Sequence, residues 1–274
     1  ESRRRAHNVL TPLITEGCIP VVTGFFGADH AGVVTTLGRG GSDYSATTIG
    51  ALLDASEVVI WTDVDGVLSA DPRLVPEART LPAISFAEAT ELAYFGAKVI
   101  HPRTVQPAIE QNIPIWIKNT FKPELPGTRI GPEAMRNGSV KAITTINGVS
   151  AITVEGAGFI GVTGITARVF STLGRAGVNV FMVSQASWQH SVIFIVRRDD
   201  APDVIRELEK EFELDLFRQR LLRIWEDPNV AIVAVVGAGM RGTPGVAGRV
   251  FQTLGNERIN IVTIAQGSSE LNIS

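Results

Sequence analysis

A single cysteine, Cys18, in 274 residues rules out an internal disulfide and fits a reducing, cytoplasmic setting. Long apolar runs are missing as well. None approaches the roughly 18 residues that a membrane span requires, and no charged-then-apolar leader opens the chain. Charge of one sign is not in excess: 25 Lys and Arg against 28 Asp and Glu leave a formal net charge of −3. That removes nucleic acid and anionic membrane as main partners, and the short cluster Arg3, Arg4, Arg5 reads as a solvated helix face. The four histidines (His7, His30, His101, His190) are scattered without metal-ligand spacing, so neither a resident metal nor a tightly bound cofactor is expected. Two glycosylation sequons, at Asn137 and Asn272, match by chance.

What is present is a chain 45% hydrophobic, long enough for about two domains. It opens without Met in a helix-like run and stops in a strand-like one, so it reads as a piece of a larger protein.

An internal duplication organises the second half. AITVEGAGFIGVTGITARVFSTLGRAGVNVFMVSQASW, from Ala151, is repeated as IVAVVGAGMRGTPGVAGRVFQTLGNERINIVTIAQGSS, from Ile232. Arg168 aligns with Arg249, an offset of 81 (249 − 168), which also maps Phe170 onto Phe251, Leu173 onto Leu254, Asn179 onto Asn260 and Gln185 onto Gln266. Two structurally equivalent modules are therefore expected. In the first copy, strand, Gly-rich loop, helix and strand are followed by SVIFIVRR, the amphipathic run APDVIRELEKEF and a strand around LLRIW. The order strand–helix–strand–strand–helix–strand is ferredoxin-like; the second copy runs out at its third strand. Both copies contain G-x-G-x-x-G (Gly156, Gly158, Gly161; Gly237, Gly239, Gly242). A dinucleotide site needs an acidic residue about 20 positions on, where these copies have Val178-Asn179-Val180 and Ile259-Asn260-Ile261, so the match is a decoy. Gln185 and Gln266, each able to donate and accept, are either edge polar residues or members of a shared small-molecule pocket.

Upstream, Ile19-Pro20-Val21-Val22 and Val33 to Leu37 read as strands. Then comes TTLGRGGSDYSAT, from Thr35. Its glycines permit a sharp turn and close approach to a ligand; Ser42 or Asp43 is placed to cap the helix that follows. Helix start and Arg39, lying between glycines as if buried, favour an anion; the plainer reading is a tight capped turn. Glu57 to Asp63 is an apolar strand ending in Thr62-Asp63, with the loop VDGVLSADPR behind it. Asp63 and Asp65 could hold a ribose, order the loop or approach a metal-bound phosphate, and Asp-Gly and Asp-Pro also simply make turns. SFAEATELAYFGAKVIHPRTVQPAIEQ gives two helices broken near Gly96 and Pro102, with Lys98 and His101 at the junction. Asn112 to Asn119 is a further buried strand, so a mostly parallel α/β domain is expected, closed by a Pro/Gly-rich linker.

TTLGRGGSDYSAT, WTDVDGVLSADPR and FGAKVIHPRT in this order resemble aspartate kinase of the amino-acid kinase family, and the tandem repeats resemble the ACT domains that follow it. The strand ends VSQASWQHS and IAQGSSELNIS are most similar to the threonine-sensitive, bifunctional aspartate kinase–homoserine dehydrogenases. The resemblance implies an α/β fold: the C-terminal half of an amino-acid kinase sandwich (1–131), a linker (132–145), one ferredoxin-like ACT module (146–226) and an incomplete second (227–274). It implies transfer of the γ-phosphoryl of MgATP to the side-chain carboxylate of L-aspartate, under feedback by threonine. Arg39 would clamp aspartate beside Ser42, and Asp43 would organise the catalytic centre. Thr62 and Asp63 would hold adenosine, with Arg73 and Lys98 near the phosphates; Leu68 stands where some members have tyrosine. Asn179, Gln185, Asn260 and Gln266 would form the effector sites. Mg2+ would arrive with ATP, and dimers or larger oligomers would form through the ACT modules. The family's N-terminal Lys-Phe-Gly-Gly motif is absent, so this piece alone is expected to show little kinase activity. The alternative is an amino-acid-binding regulatory module without catalysis.

Overall fold

The computed structural model describes residues 1–97, 102–133, 140–156, 164–186, 191–267 and 270–274. The chain divides into two compact units: Glu1–Thr144 with Val235–Pro244 and Ser268–Asn272, and Thr145–Ala234 with Gly245–Gly267 and Ile273–Ser274.

The first unit begins with helix α1 (Ser2–Thr15) and the strands β1 (Phe26–Ala28) and β2 (Val34–Thr36), which pair antiparallel. Helix α2 (Gly41–Leu52) leads into β3 (Val58–Thr62); then follow β4 (Ala83–Ser85), helices α3 (Phe86–Tyr94) and α4 (Pro102–Glu110), β5 (Ile115–Asn119) and β6 (Thr128–Gly131). The four-stranded sheet has the order β3-β5-β6-β4. β3 runs parallel to β5 and β4 to β6, while β5 and β6 are antiparallel. The expected break between two helices falls between α3 and α4, where Gly96 takes φ 97°. The expected strand at Ile19–Val22 does not form. Residues 18–24 have no regular structure, and Ile19 and Val21 are 90% and 96% exposed. A β-branched run becomes a strand only beside another strand that takes its N–H and C=O groups, and none of the described residues pairs with it.

The second unit follows the ferredoxin-like order. β7 (Ala142–Gly156), α5 (Ile165–Arg175), β8 (Met182–Ala186), β9 (Ser191–Arg197), α6 (Ala201–Glu211), a short α7 (Glu213–Phe217) and β10 (Leu221–Val236) make up the first repeat and enter the second, which continues with α8 (Val246–Asn256) and β11 (Asn272–Ile273). Sheet order is β11-β10-β7-β9-β8, with β9 antiparallel to both β7 and β8. One face of this sheet is covered because α5 and α6 each carry an apolar stripe at helical spacing. Ile165, Val169 and Leu173 meet Val204, Leu208 and Phe212 over Ile152, Val154 and Phe194, all within 2% of complete burial. Arg168 closes the helix layer. Its guanidinium lies 4.3 Å over the Phe212 ring and donates to Glu211 and Asp215.

The duplication is reproduced in detail. Adding 81 to α5 (165–175) gives α8 (246–256), and it maps Gly164, φ 91°, onto Gly245, φ 84°. The two strands expected around LLRIW and AIVAVV are one continuous strand, β10.

Candidate functional site

The Gly-rich turn is built as its composition requires. Gly38 and Gly40 take φ 77° and 74°, the left-handed region that costs other residues strain. A Cβ on Gly41 would lie 2.9 Å from Phe25 and 3.0 Å from Leu37. Two expectations are corrected here. The helix cap is Gly40, with no side-chain cap hydrogen bond; Ser42 and Asp43 lie inside the first turn of α2 instead. Arg39 is exposed rather than buried between glycines. Asp43 is half-buried. Loss of hydration pushes its carboxyl above the ordinary range, and a hydrogen bond with Ser42 opposes that shift. Thr47, one turn on and fully buried, donates to the Thr104 carbonyl at 2.6 Å and so ties α2 to α4.

The carboxyl ends of the parallel strands β3 and β5 form the second part. Thr62 is the register partner of Asn119. Thr62 Oγ1 donates to Asp63 Oδ1 at 3.1 Å, and the Thr120 N–H donates to the Thr62 carbonyl at 2.8 Å. The Asn119 amide donates to Asp65 Oδ1 at 2.5 Å, and the Lys122 ammonium to Asp65 Oδ2 at 3.2 Å. Those two donors, Asn119 foremost, hold the Asp65 carboxyl below its ordinary range. Neither Asn119 nor Lys122 stood out in the sequence. The available signal was the alternating burial of β5, which places Ile115, Ile117 and Asn119 inward and so puts an amide where the pattern calls for another apolar residue.

The loop behind β3 is drawn back by a short ladder, with Ser69 N–H to the Arg79 carbonyl and Leu81 N–H to the Val67 carbonyl. Arg73 sits in this loop, 70% exposed, its fork engaged by Asp71 at 3.0 and 2.6 Å. Lys98 and His101 lie outside the described residues.

Glu88, near the start of α3, was also not legible as special. It is fully buried. One oxygen accepts the Ser85 N–H (2.8 Å) and hydroxyl (3.1 Å) in a capping box, and the other accepts the Ala238 N–H at 2.7 Å.

The effector candidates occupy matched places. Gln185 pairs with Val192 and Gln266 with Ile273, again 81 residues apart, and both glutamines are exposed. Asn179 and Asn260 are exposed in the segments after α5 and α8. Among the described residues no group of three or more His, Cys, Asp or Glu could hold a metal ion, and no helix is long and apolar enough to cross a membrane.

Comparison with known proteins agrees with this geometry. Residues 1–119 match the amino acid kinase family, and residues 152–212 and 233–274 match the ACT domain. A bifunctional aspartokinase/homoserine dehydrogenase of Haemophilus influenzae is 45% identical over 95% of this chain, which spans 32% of that relative's length. The aspartate kinase of Clostridium acetobutylicum has a TM-score of 0.88 at 33% identity, over 99% of this chain and 61% of its own. Escherichia coli aspartokinase III, solved with aspartate and ADP, has a TM-score of 0.76 at 32% identity, over 99% of this chain and 59% of its own. A kinase-type α/β unit leading into duplicated ferredoxin-like modules is thus an amino acid kinase domain followed by ACT domains, the arrangement of the aspartate kinases to which this chain is similar.

Proposed function

We propose that the whole protein transfers the γ-phosphoryl of MgATP to the side-chain carboxylate of L-aspartate, giving 4-phospho-L-aspartate for amino-acid biosynthesis, and that threonine controls it through the ACT repeats. The observation that carries this reading is the similarity along 99% of the chain to a kinase solved with aspartate and ADP, over a site whose polar groups gather at the ends of parallel strands. Ligands of open α/β sheets bind there. The acceptor is a carboxylate, already ionised at neutral pH, so no general base is needed. The work is to hold two anions together and offset their charge. In this reading Arg39, free on its glycine turn, reaches the aspartate carboxylate beside Ser42. Asp43 organises the centre, Thr62 and Asp63 receive the adenosine, and Arg73 and Lys98 meet the phosphates. Mg2+ comes with the nucleotide. The division into 1–131, 132–145, 146–226 and 227–274, the assembly into dimers or larger oligomers, and a cytoplasmic location belong to the same proposal.

The test has two arms. Whole protein given ATP and aspartate, with hydroxylamine to trap the acyl phosphate, should form the hydroxamate, and Arg39→Ala should reduce the rate by about 100-fold, the size of a lost charge-assisted clamp. Calorimetry of this chain with threonine, lysine and MgATP in turn should give heat with threonine that Gln185→Ala or Gln266→Ala removes. The equivalent pairings of Gln185 and Gln266 favour a second reading, an amino-acid sensor without catalysis. Threonine binding by a whole protein that forms no hydroxamate would select it.

A further inference from the structure

β5 reads Ile-Trp-Ile-Lys-Asn, and its inward positions are Ile115, Ile117 and Asn119. Ile115 and Ile117 are completely buried and Asn119 is 4% exposed. An apolar residue would continue the strand at lower cost, since burying an amide loses hydration unless each polar atom finds a partner. Asn119 finds them all on one side, at the carboxyl edge of the sheet. Its amide nitrogen donates to Asp65 Oδ1 at 2.5 Å and lies 3.5 Å from the Asp63 carbonyl; its carbonyl accepts the Phe121 N–H at 2.8 Å. Two loops that are 54 residues apart in the chain are thereby fixed to one another. Lys122 adds a contact to the other Asp65 oxygen, but its ammonium is half-exposed, and an exposed ion pair alone holds geometry weakly. The directional part of the clamp is the buried amide.

We propose that Asn119 is a positioning residue: through Asp65 it holds the strand-end segment Thr62–Asp65 in the shape that receives the nucleotide. This rests on the reading of Thr62 and Asp63 as the adenosine-binding positions. Asn119 itself need not touch the ligand. Its amide sets the path of the segment between Thr62 and Asp65, and the Thr62 hydroxyl and the exposed Asp63 carboxylate are displayed as a consequence. The proposal also selects among the roles open to Asp65, making it the anchor of the loop rather than a phosphate or metal contact.

The test uses the whole protein with MgADP as probe, read by calorimetry and by amide hydrogen exchange across residues 62–67. Asn119→Asp sets two carboxylates face to face. It should weaken MgADP about tenfold or more, the equivalent of one lost hydrogen bond to a charged group, and raise exchange in the segment by a similar factor. The exchanged pair Asp65→Asn with Asn119→Asp restores one amide and one carboxylate, and it should recover most of both. Asp65→Ala, at the more exposed end of the pair, buries nothing new and should reproduce the loss if Asn119→Asp does not fold. If Asn119→Asp or Asp65→Ala binds MgADP as the unaltered protein does, Asn119 has no positioning role and the nucleotide site stands. If the exchanged pair recovers neither quantity, the pairing is not what matters and the proposal falls. If the unaltered protein does not bind MgADP while the segment remains protected, the nucleotide reading falls and the proposal with it.

Discussion

Replacing Glu88 with alanine should destabilise the first unit more than any change at its surface. The side chain is fully buried and serves three donors: the Ser85 N–H and hydroxyl through one oxygen, and the Ala238 N–H through the other. Alanine leaves two backbone N–H groups without an acceptor, at about 1–3 kcal/mol each. It also removes half of a capping box; the Ser85 hydroxyl still accepts from the residue 88 N–H, so that part of the cap survives. The expected loss is about 4 kcal/mol. With a urea slope of about 2–3 kcal/mol/M, the midpoint should fall by roughly 1.3–2 M. Glutamine separates packing from hydrogen bonding. It fills the space, but its carbonyl can serve only one side, so its NH2 must face another donor, and about half the loss should remain. Urea unfolding followed by tryptophan fluorescence gives the magnitude, since Trp61 and Trp116 both lie in this unit. Amide exchange at Ala238 gives the location, and it should rise in both variants. A loss under about 1 kcal/mol for Glu88→Ala, or a Glu88→Gln variant indistinguishable from the original, would refute the argument that these donors depend on the carboxylate.

Two other predictions concern charge. Burial raises the Asp43 carboxyl above its unfolded value. Its folding contribution is therefore intact below the ordinary aspartate range and is lost as pH rises through the raised value. Asp43→Asn should thus be more stable than the original at pH 7, with the difference shrinking in acid; thermal midpoints across pH will show it, and a destabilised variant at neutral pH would contradict it. In the second unit, Arg168→Ala removes the cation that faces Asp215, a carboxylate only 7% exposed. It also strips the cover from Phe212. A loss of about 2–4 kcal/mol in denaturant unfolding is expected, whereas Arg206→Ala, an exposed helix pair with Asp203, should change stability by less than about 0.5 kcal/mol.

The amino-acid order alone determined whatever is local or repeated. The duplication at an offset of 81 predicted equivalent helices, and 165–175 and 246–256 are those helices. It also placed Gln185 and Gln266 alike, since the same apolar periodicity yields the same pairing twice. The glycines of the turn before α2 were legible because a positive φ or a close contact is a demand made by neighbouring atoms. Tertiary structure decided which polar groups meet. Asn119 reaches Asp65 across 54 residues, and Glu88 reaches Ala238 across 150; no pattern of neighbours along the chain encodes such pairs. It also decided exposure. Arg39 looked enclosed between glycines, and Ile19 to Val22 looked like a strand, yet both are solvent-facing. Burial and strand formation depend on what another part of the fold lays against a segment, and propensity has no access to that.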